Sequence, residues 1–175
     1  MRASECLGLK WCDIDFENDT IDVRRVLTYY KERSDNGRPT GSMIASYQTP
    51  KTVNSVRTIP MSPEAKEILL QIYEQAYWGA EAPVIASAEG NPIYLTAFEK
   101  TFRTIVSNVG LTGVTLHTLR HTFGSYLYEE TQDLLLVSKM LGHGSVQITA
   151  NVYLHARDDK MSAVMKEFQL GVGEI

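Results

Sequence analysis

The forty residues from Leu116 to His155 contain all four histidines of the chain, His117, His121, His143 and His155, together with Arg120 and Tyr153. Guanidinium and imidazole groups donate hydrogen bonds to phosphate oxygens, and a tyrosine hydroxyl becomes a nucleophile once nearby cations or a base stabilise its phenolate. Such a set could hold a phosphate and attack it. His117 and Arg120 are three residues apart, hence on one helical face, a spacing that lets two donors converge on one anion. A metal site is the competing chemistry, because His117 and His121 have the i, i+4 spacing of two zinc ligands. The residues between them are Thr118, Leu119 and Arg120. There is no glutamate to act as a base, and a guanidinium between the ligands would repel the cation, so no metal is expected. Taken singly, each residue has an ordinary use: a histidine can simply be hydrogen-bonded, an arginine solvated, a tyrosine packed by its ring, and His155 can end a helix where its charge suits the dipole.

Helices with marked ends must position these groups. Thr115 can cap the helix of His117 and Arg120; Asp133 begins another that Gly142 ends near Leu141; Ser145 can cap the helix of Tyr153. Upstream, Ser62, Pro63 and Glu64 open a helix to about Trp78, with Ile68, Leu69, Ile72, Tyr73 and Ala76 on one face. Thr96 to Glu99 has capping-box spacing, before a buried stripe of Phe98, Phe102, Ile105, Val106 and Val109 that Gly110 stops. Met161, Val164, Met165 and Phe168 give a terminal helix an apolar face that must be covered.

The N-terminal part reads differently. Arg2 to Trp11 has the spacing of a helix end with Cys6, Leu7 and Leu9 inward, and nothing ahead of Arg2 to begin it, which suggests a fragment of a longer protein. Ile14 to Leu27 reads as a strand pair, Lys31 to Ser42 as a mobile polar loop, and Ile44 to Pro60 as further strand with Lys51 close to a hairpin turn. The expected class is α+β, mainly α: a helical domain with a small three-stranded antiparallel sheet near the N-terminus.

Composition sets limits. At 175 residues, 43% hydrophobic and 22% charged, the chain is an ordinary globular domain. No apolar run approaches the roughly 20 residues of a membrane span, so a cytoplasmic protein without a membrane partner is expected. Cys6 and Cys12 read as buried, reduced thiols. A net charge of -4 argues mildly against nucleic acid, yet residues 1–60 hold nine Lys/Arg against eight Asp/Glu while the rest holds eight against thirteen, so a local cationic pocket on an acidic body is compatible with it.

The polar groups form an ordered set. Arg2 and Glu5 precede Leu9, Trp11 and Asp13; Lys51 lies in Thr49-Pro50-Lys51-Thr52; His117 is followed by Arg120 and His121; Leu141-Gly142-His143 comes ten residues before Tyr153. In this order and spacing the chain resembles the catalytic domain of the tyrosine recombinase, or phage integrase, family, along nearly all of its length. The resemblance implies a DNA breaking-rejoining fold over residues 1–175, with N-terminal DNA-binding domains missing from the fragment.

It also implies a mechanism. Tyr153 would attack a DNA phosphodiester, giving a 3′-phosphotyrosyl bond and a free 5′-hydroxyl. Arg2 and Arg120 would bind the non-bridging oxygens, Lys51 would protonate the leaving 5′ oxygen, and His117 and His143 would complete the pocket. Glu5 would orient it and His121 support it. No cofactor is implied, since arginine and lysine stand where other phosphoryl-transfer enzymes use metal ions. The implied partners are double-stranded DNA attachment sites and further copies of the protein, a tetramer on DNA through the C-terminal helix, with the isolated fragment a monomer. The expected role is integration or excision of a mobile element or prophage. The alternative is a DNA-binding regulator of the same fold that has lost cleavage.

Overall fold

The computed structural model describes residues 1–34, 36–50 and 55–153. The elements are α1 (Ala3–Leu7), a 3-10 turn (Trp11–Asp13), β1 (Ile14–Asp15), β2 (Thr20–Val23), β3 (Val26–Arg33), β4 (Pro39–Gln48), β5 (Arg57–Pro60), α2 (Pro63–Ala76), α3 (Leu95–Asn108), α4 (Leu116–Thr131), α5 (Leu134–Leu141) and α6 (Val146–Tyr153). The expected mainly helical α+β architecture is what forms.

A three-stranded antiparallel sheet has β2 at its centre, with Ile14 opposite Ile21 on one side and Ile59 opposite Ile21 on the other. Its inner face joins Leu9, Trp11, Ile21 and Val84 in an apolar centre that Phe16, Leu69 and Ile72 extend. Tyr73 of α2 meets the Trp11 ring edge-on at 5.1 Å. Asp13, 3% exposed, is held by the Lys10 N–H at 2.9 Å and by Arg25 Nη1 at 2.9 Å, so the Trp-x-Asp segment serves the core here. A smaller apolar cluster of Tyr128, Val137 and Leu141 joins α4 to α5.

The strand assignments need correction. Residues 31–33 and 39–42 are strand rather than loop: β3 and β4 form a separate two-stranded hairpin that pairs Val26 with Gln48 and continues to Arg33 opposite Pro39. Turn formers act only at its tip, where the Gly37 N–H donates to the Ser34 carbonyl at 2.7 Å and the Ser34 N–H to the Arg38 carbonyl at 2.8 Å. A solvated main-chain ladder needs no apolar period, so polar strands read as loop. β4 pairs with β3 and β5 with β2, so the strands flanking Lys51 belong to different sheets rather than to one hairpin. Lys51 itself lies outside the described residues, as do His155 and the apolar stripe from Met161 to Phe168.

Helix starts follow their caps, with one exception. Ser62 accepts from the Ala65 N–H, Thr115 and Thr118 exchange a capping box, Asp133 accepts from the Leu135 and Leu136 N–H groups, and Ser145 accepts from the Gln147 N–H. α3 begins at Leu95 without a side-chain cap, ahead of Thr96. Its entry is fixed by aromatic packing instead: Tyr94 lies on Tyr29 at 4.4 Å, and the Tyr29 hydroxyl donates to the Ile93 carbonyl at 2.6 Å. Along α3, Val106 is buried and Phe98 and Phe102 half-buried, but Ile105 and Val109 are 58% and 67% exposed. In α2, Leu69 and Ile72 turn inward and Ile68 does not. Both helices cover the described residues with a narrower stripe than their periodicity offers. Cys12 is exposed, because the 3-10 turn spends its inward positions on Trp11 and Asp13, and Cys6 of α1 is only half-buried.

Candidate active site

The site is built around a buried carboxylate. Arg2 is the N-cap of α1 and Glu5 its third residue, so Glu5 reaches back to accept the Arg2 backbone N–H at 2.7 Å. That local geometry drives the carboxylate inward, where it is 1% exposed. An unpaired buried charge would be costly, and guanidinium groups from three elements answer it. Arg2 Nη1 donates to Oε1 at 3.0 Å, Arg57 Nη2 from β5 donates to Oε2 at 3.1 Å, and Arg120 Nη1 from α4 stands 3.8 Å from Oε2. Burial pushes the Glu5 carboxyl up, but the Arg57 hydrogen bond, the Arg2 N–H and the positive charge of Arg57 outweigh it and leave the carboxyl below its ordinary range.

The same three arginines converge on the C-terminus of α5. The last carbonyls of a helix lack partners within it and carry the negative end of its dipole. Arg57 Nε donates to the Met140 carbonyl at 2.9 Å, Arg120 Nη2 to that of Leu141 at 2.5 Å and Arg2 Nη1 to that of Gly142 at 3.3 Å, three consecutive acceptors. Gly142 is required twice. Its φ of 66° is left-handed, letting the Gly142 and His143 N–H groups close the helix onto Lys139 and Ser138, and a Cβ there would lie 2.5 Å from Arg57 Nη1. Arg57 and Arg120 side chains are only 8% and 6% exposed, whereas that of Arg2 is 44% exposed.

His143 leaves this turn next to the guanidinium groups. Burial, followed by the charges of Arg120, Arg2 and Arg57, lowers its pKa to about 4, so the ring is neutral at pH 7. Its Nδ1 lies 2.8 Å from Thr149 Oγ1 of α6. His117 lines an open cleft of about 510 Å³ with Arg2, Arg120, Thr115 and Phe102, and Arg57 and His143 line a neighbouring one with Lys139 and Ser145. The His117 ring meets His121 edge-on at 5.2 Å, and His121 turns toward Ser125, Tyr126 and Glu129.

Of the residues picked from sequence, Arg2, Glu5, Arg120 and His143 are brought together, and His117 shares a cleft with two of them. α6 packs on α5 and ends at Tyr153. Sequence reasoning missed Arg57 and Thr149. The signal for Arg57 was there: in the alternation of β5 it falls on the same face as Ile59, and a charge at an inward strand position demands a buried counter-charge. Among the described residues no group of three or more His, Cys, Asp and Glu side chains could hold a metal ion, and no helix is long and apolar enough to cross a membrane.

Three guanidinium groups gathered beside a neutral imidazole carry more positive charge than the single Glu5 carboxylate offsets, which suits the place to an anionic ligand. The chain belongs to the phage integrase family, whose sequence profile matches residues 1–160. A tyrosine recombinase XerC-like protein of Caldanaerobacter subterraneus subsp. tengcongensis is 33% identical over 173 residues, covering 89% of this chain and 42% of that protein. The ICEBs1 integrase of Bacillus subtilis is 28% identical over 170 residues, covering 91% of this chain and 43% of its own length. The chain therefore spans less than half of either relative. Among solved structures, the Tn1549 transposon integrase in complex with transposon right end DNA superposes with a TM-score of 0.74 at 25% identity, over 95% of this chain and 54% of that one.

Proposed function

We propose that this chain is the catalytic domain of a site-specific DNA recombinase that cleaves and rejoins DNA through a 3′-phosphotyrosine. The observation that carries this reading is the convergence of Arg2, Arg57 and Arg120 on the carbonyls of Met140, Leu141 and Gly142, immediately before His143 and the helix of Tyr153. The Tyr153 hydroxyl attacks phosphorus, its proton passing to His117. The bond to the 5′ oxygen breaks, and that oxygen takes a proton from Lys51. Arg2 and Arg120 stabilise the charge that builds on the non-bridging oxygens, and His143 adds a neutral donor. Glu5 holds the arginines in place, and His121 supports His117. The broken phosphodiester is kept as a phosphotyrosine that the freed 5′-hydroxyl or a partner strand can attack, so the cycle needs no nucleotide and no metal.

Relatives named as integrases of ICEBs1 and of Staphylococcus phage L54a support a role in integrating or excising a mobile element. Sequence recognition then lies mainly in DNA contacts outside this pocket and in further domains of the protein, which acts in the cytoplasm. Incubating the full-length protein with nicked DNA spanning its element's junctions should give a covalent protein–DNA adduct that Tyr153→Phe abolishes. A folded protein that binds this DNA without forming an adduct would instead be the cleavage-deficient regulator. The Met161, Val164, Met165 and Phe168 stripe is assigned to docking on an adjacent copy in a DNA-bound tetramer, with the isolated domain a monomer. Deleting residues 160–175 should reduce the DNA-bound assembly to smaller species in sedimentation, and an unchanged assembly would refute the docking.

A further inference from the structure

Thr149 is fully buried on α6, four residues and hence about one helical turn before Tyr153. A buried hydroxyl must be hydrogen-bonded, and its Oγ1 is 2.8 Å from His143 Nδ1. Because the imidazole is neutral at pH 7, it carries one proton, and the group bonded to one ring nitrogen decides which nitrogen holds it. A hydroxyl can donate or accept, so two arrangements are open. If Thr149 accepted from Nδ1–H, Nε2 would turn a lone pair toward the ligand, and a lone pair repels a phosphate oxygen. If Thr149 donates to Nδ1, Nε2 carries the proton and can donate it. Arg57 shares a cleft lining with His143, and the positive charges of Arg120, Arg2 and Arg57 act on the ring and favour an anion beside it, which selects the second arrangement.

From this geometry we infer that Thr149 is a positioning residue: its hydroxyl donates to His143 Nδ1, fixes the imidazole as the Nε2–H tautomer facing the phosphate, and ties that ring to the helix of the nucleophile. The inference rests on the proposed phosphate contact of His143. The bond also couples two parts of the reaction. A shift of α6 that withdrew Tyr153 would pull on the ring, so nucleophile and donor are set by one contact.

The test uses the full-length protein labelled with ¹⁵N-histidine, read by long-range proton–nitrogen correlation, and single-turnover cleavage of nicked junction DNA. The wild type should show an unprotonated Nδ1 and a protonated Nε2. Thr149→Val, which keeps the shape and removes the hydroxyl, should mix the tautomers and slow cleavage about 10-fold, as loss of a partner that orients a functional histidine does elsewhere. Thr149→Ser should restore both readouts. A wild-type His143 protonated on Nδ1 overturns the inference, and that measurement does not depend on whether the valine variant folds. Slow cleavage by Thr149→Val with an unchanged tautomer also overturns it, since the hydroxyl would then act through packing alone. His143→Gln separates the underlying reading: wild-type cleavage in that variant removes His143 from the pocket, whereas slow cleavage there with wild-type behaviour in Thr149→Val rejects Thr149 only.

Discussion

Around Trp11 the molecule is held by apolar contact: Leu9, Ile21 and Val84 close on the indole, and Tyr73 leans its edge against it. Around Glu5 it is held by charge, with three guanidinium groups on one carboxylate and on three main-chain oxygens. Trp11 and Glu5 are both buried, but dispersion is non-directional and tolerates small adjustments, whereas a buried charge is left uncompensated when one of its partners goes. The apolar centre joins helix to sheet, and the ionic centre joins α1, β5, α4 and α5. The chemistry proposed for this chain falls in the region whose geometry is the less forgiving.

Substitutions in the two regions test this contrast. Arg120→Ala should have the largest effect, slowing cleavage by at least about 10³-fold in single-turnover assays, since it removes the donor proposed for the transition state and uncovers the Leu141 carbonyl. Near-normal cleavage would detach the ionic centre from the chemistry. Glu5→Gln should follow, at about 3 kcal/mol of unfolding free energy in urea, because the guanidinium groups lose their common counter-charge. The same centre predicts acid sensitivity in two windows. His143 titrates near 4 when folded and near 6.5 when unfolded, so the unfolded chain takes up the proton first and stability declines as pH falls from about 6.5 to 4. The depressed Glu5 carboxyl contributes fully above about 4.3, its unfolded value, and that contribution is lost as pH falls through the lower folded value. Glu5→Gln should flatten only the second window. Ile21→Val in the apolar centre should cost least, about 1 kcal/mol with no change in the pH profile. An Ile21→Val penalty as large as that of Glu5→Gln would erase the distinction.

What was legible in the sequence was mostly local or ordered. Thr115, Asp133, Gly142 and Ser145 mark helix ends through bonds spanning a few residues, and the structure uses each as its residue type suggests. The set from Arg2 to Tyr153 was legible as a resemblance because order and spacing survive in a linear string. Partners distant in sequence were not. Arg57 finds Glu5 and Met140 across 52 and 83 residues, and no pattern near Arg57 names them. The ends of β3 and β4 next to their turn, residues 31–33 and 39–42, were read as loop because a polar ladder carries no apolar period. Ile105 and Val109 were taken as core because periodicity reports a face without reporting what covers it.

Anchoring three arginines to main-chain oxygens also bears on how such a site can drift. A side-chain acceptor can be lost to one substitution, but the carbonyls of Met140 and Leu141 persist whatever residue follows, provided the helix still ends there. Sequence variation at these two acceptor positions therefore leaves the anchors standing. Gly142 is the exception: any side chain there strains the turn and displaces Arg57 together, which concentrates the fragility of the arrangement in a single codon.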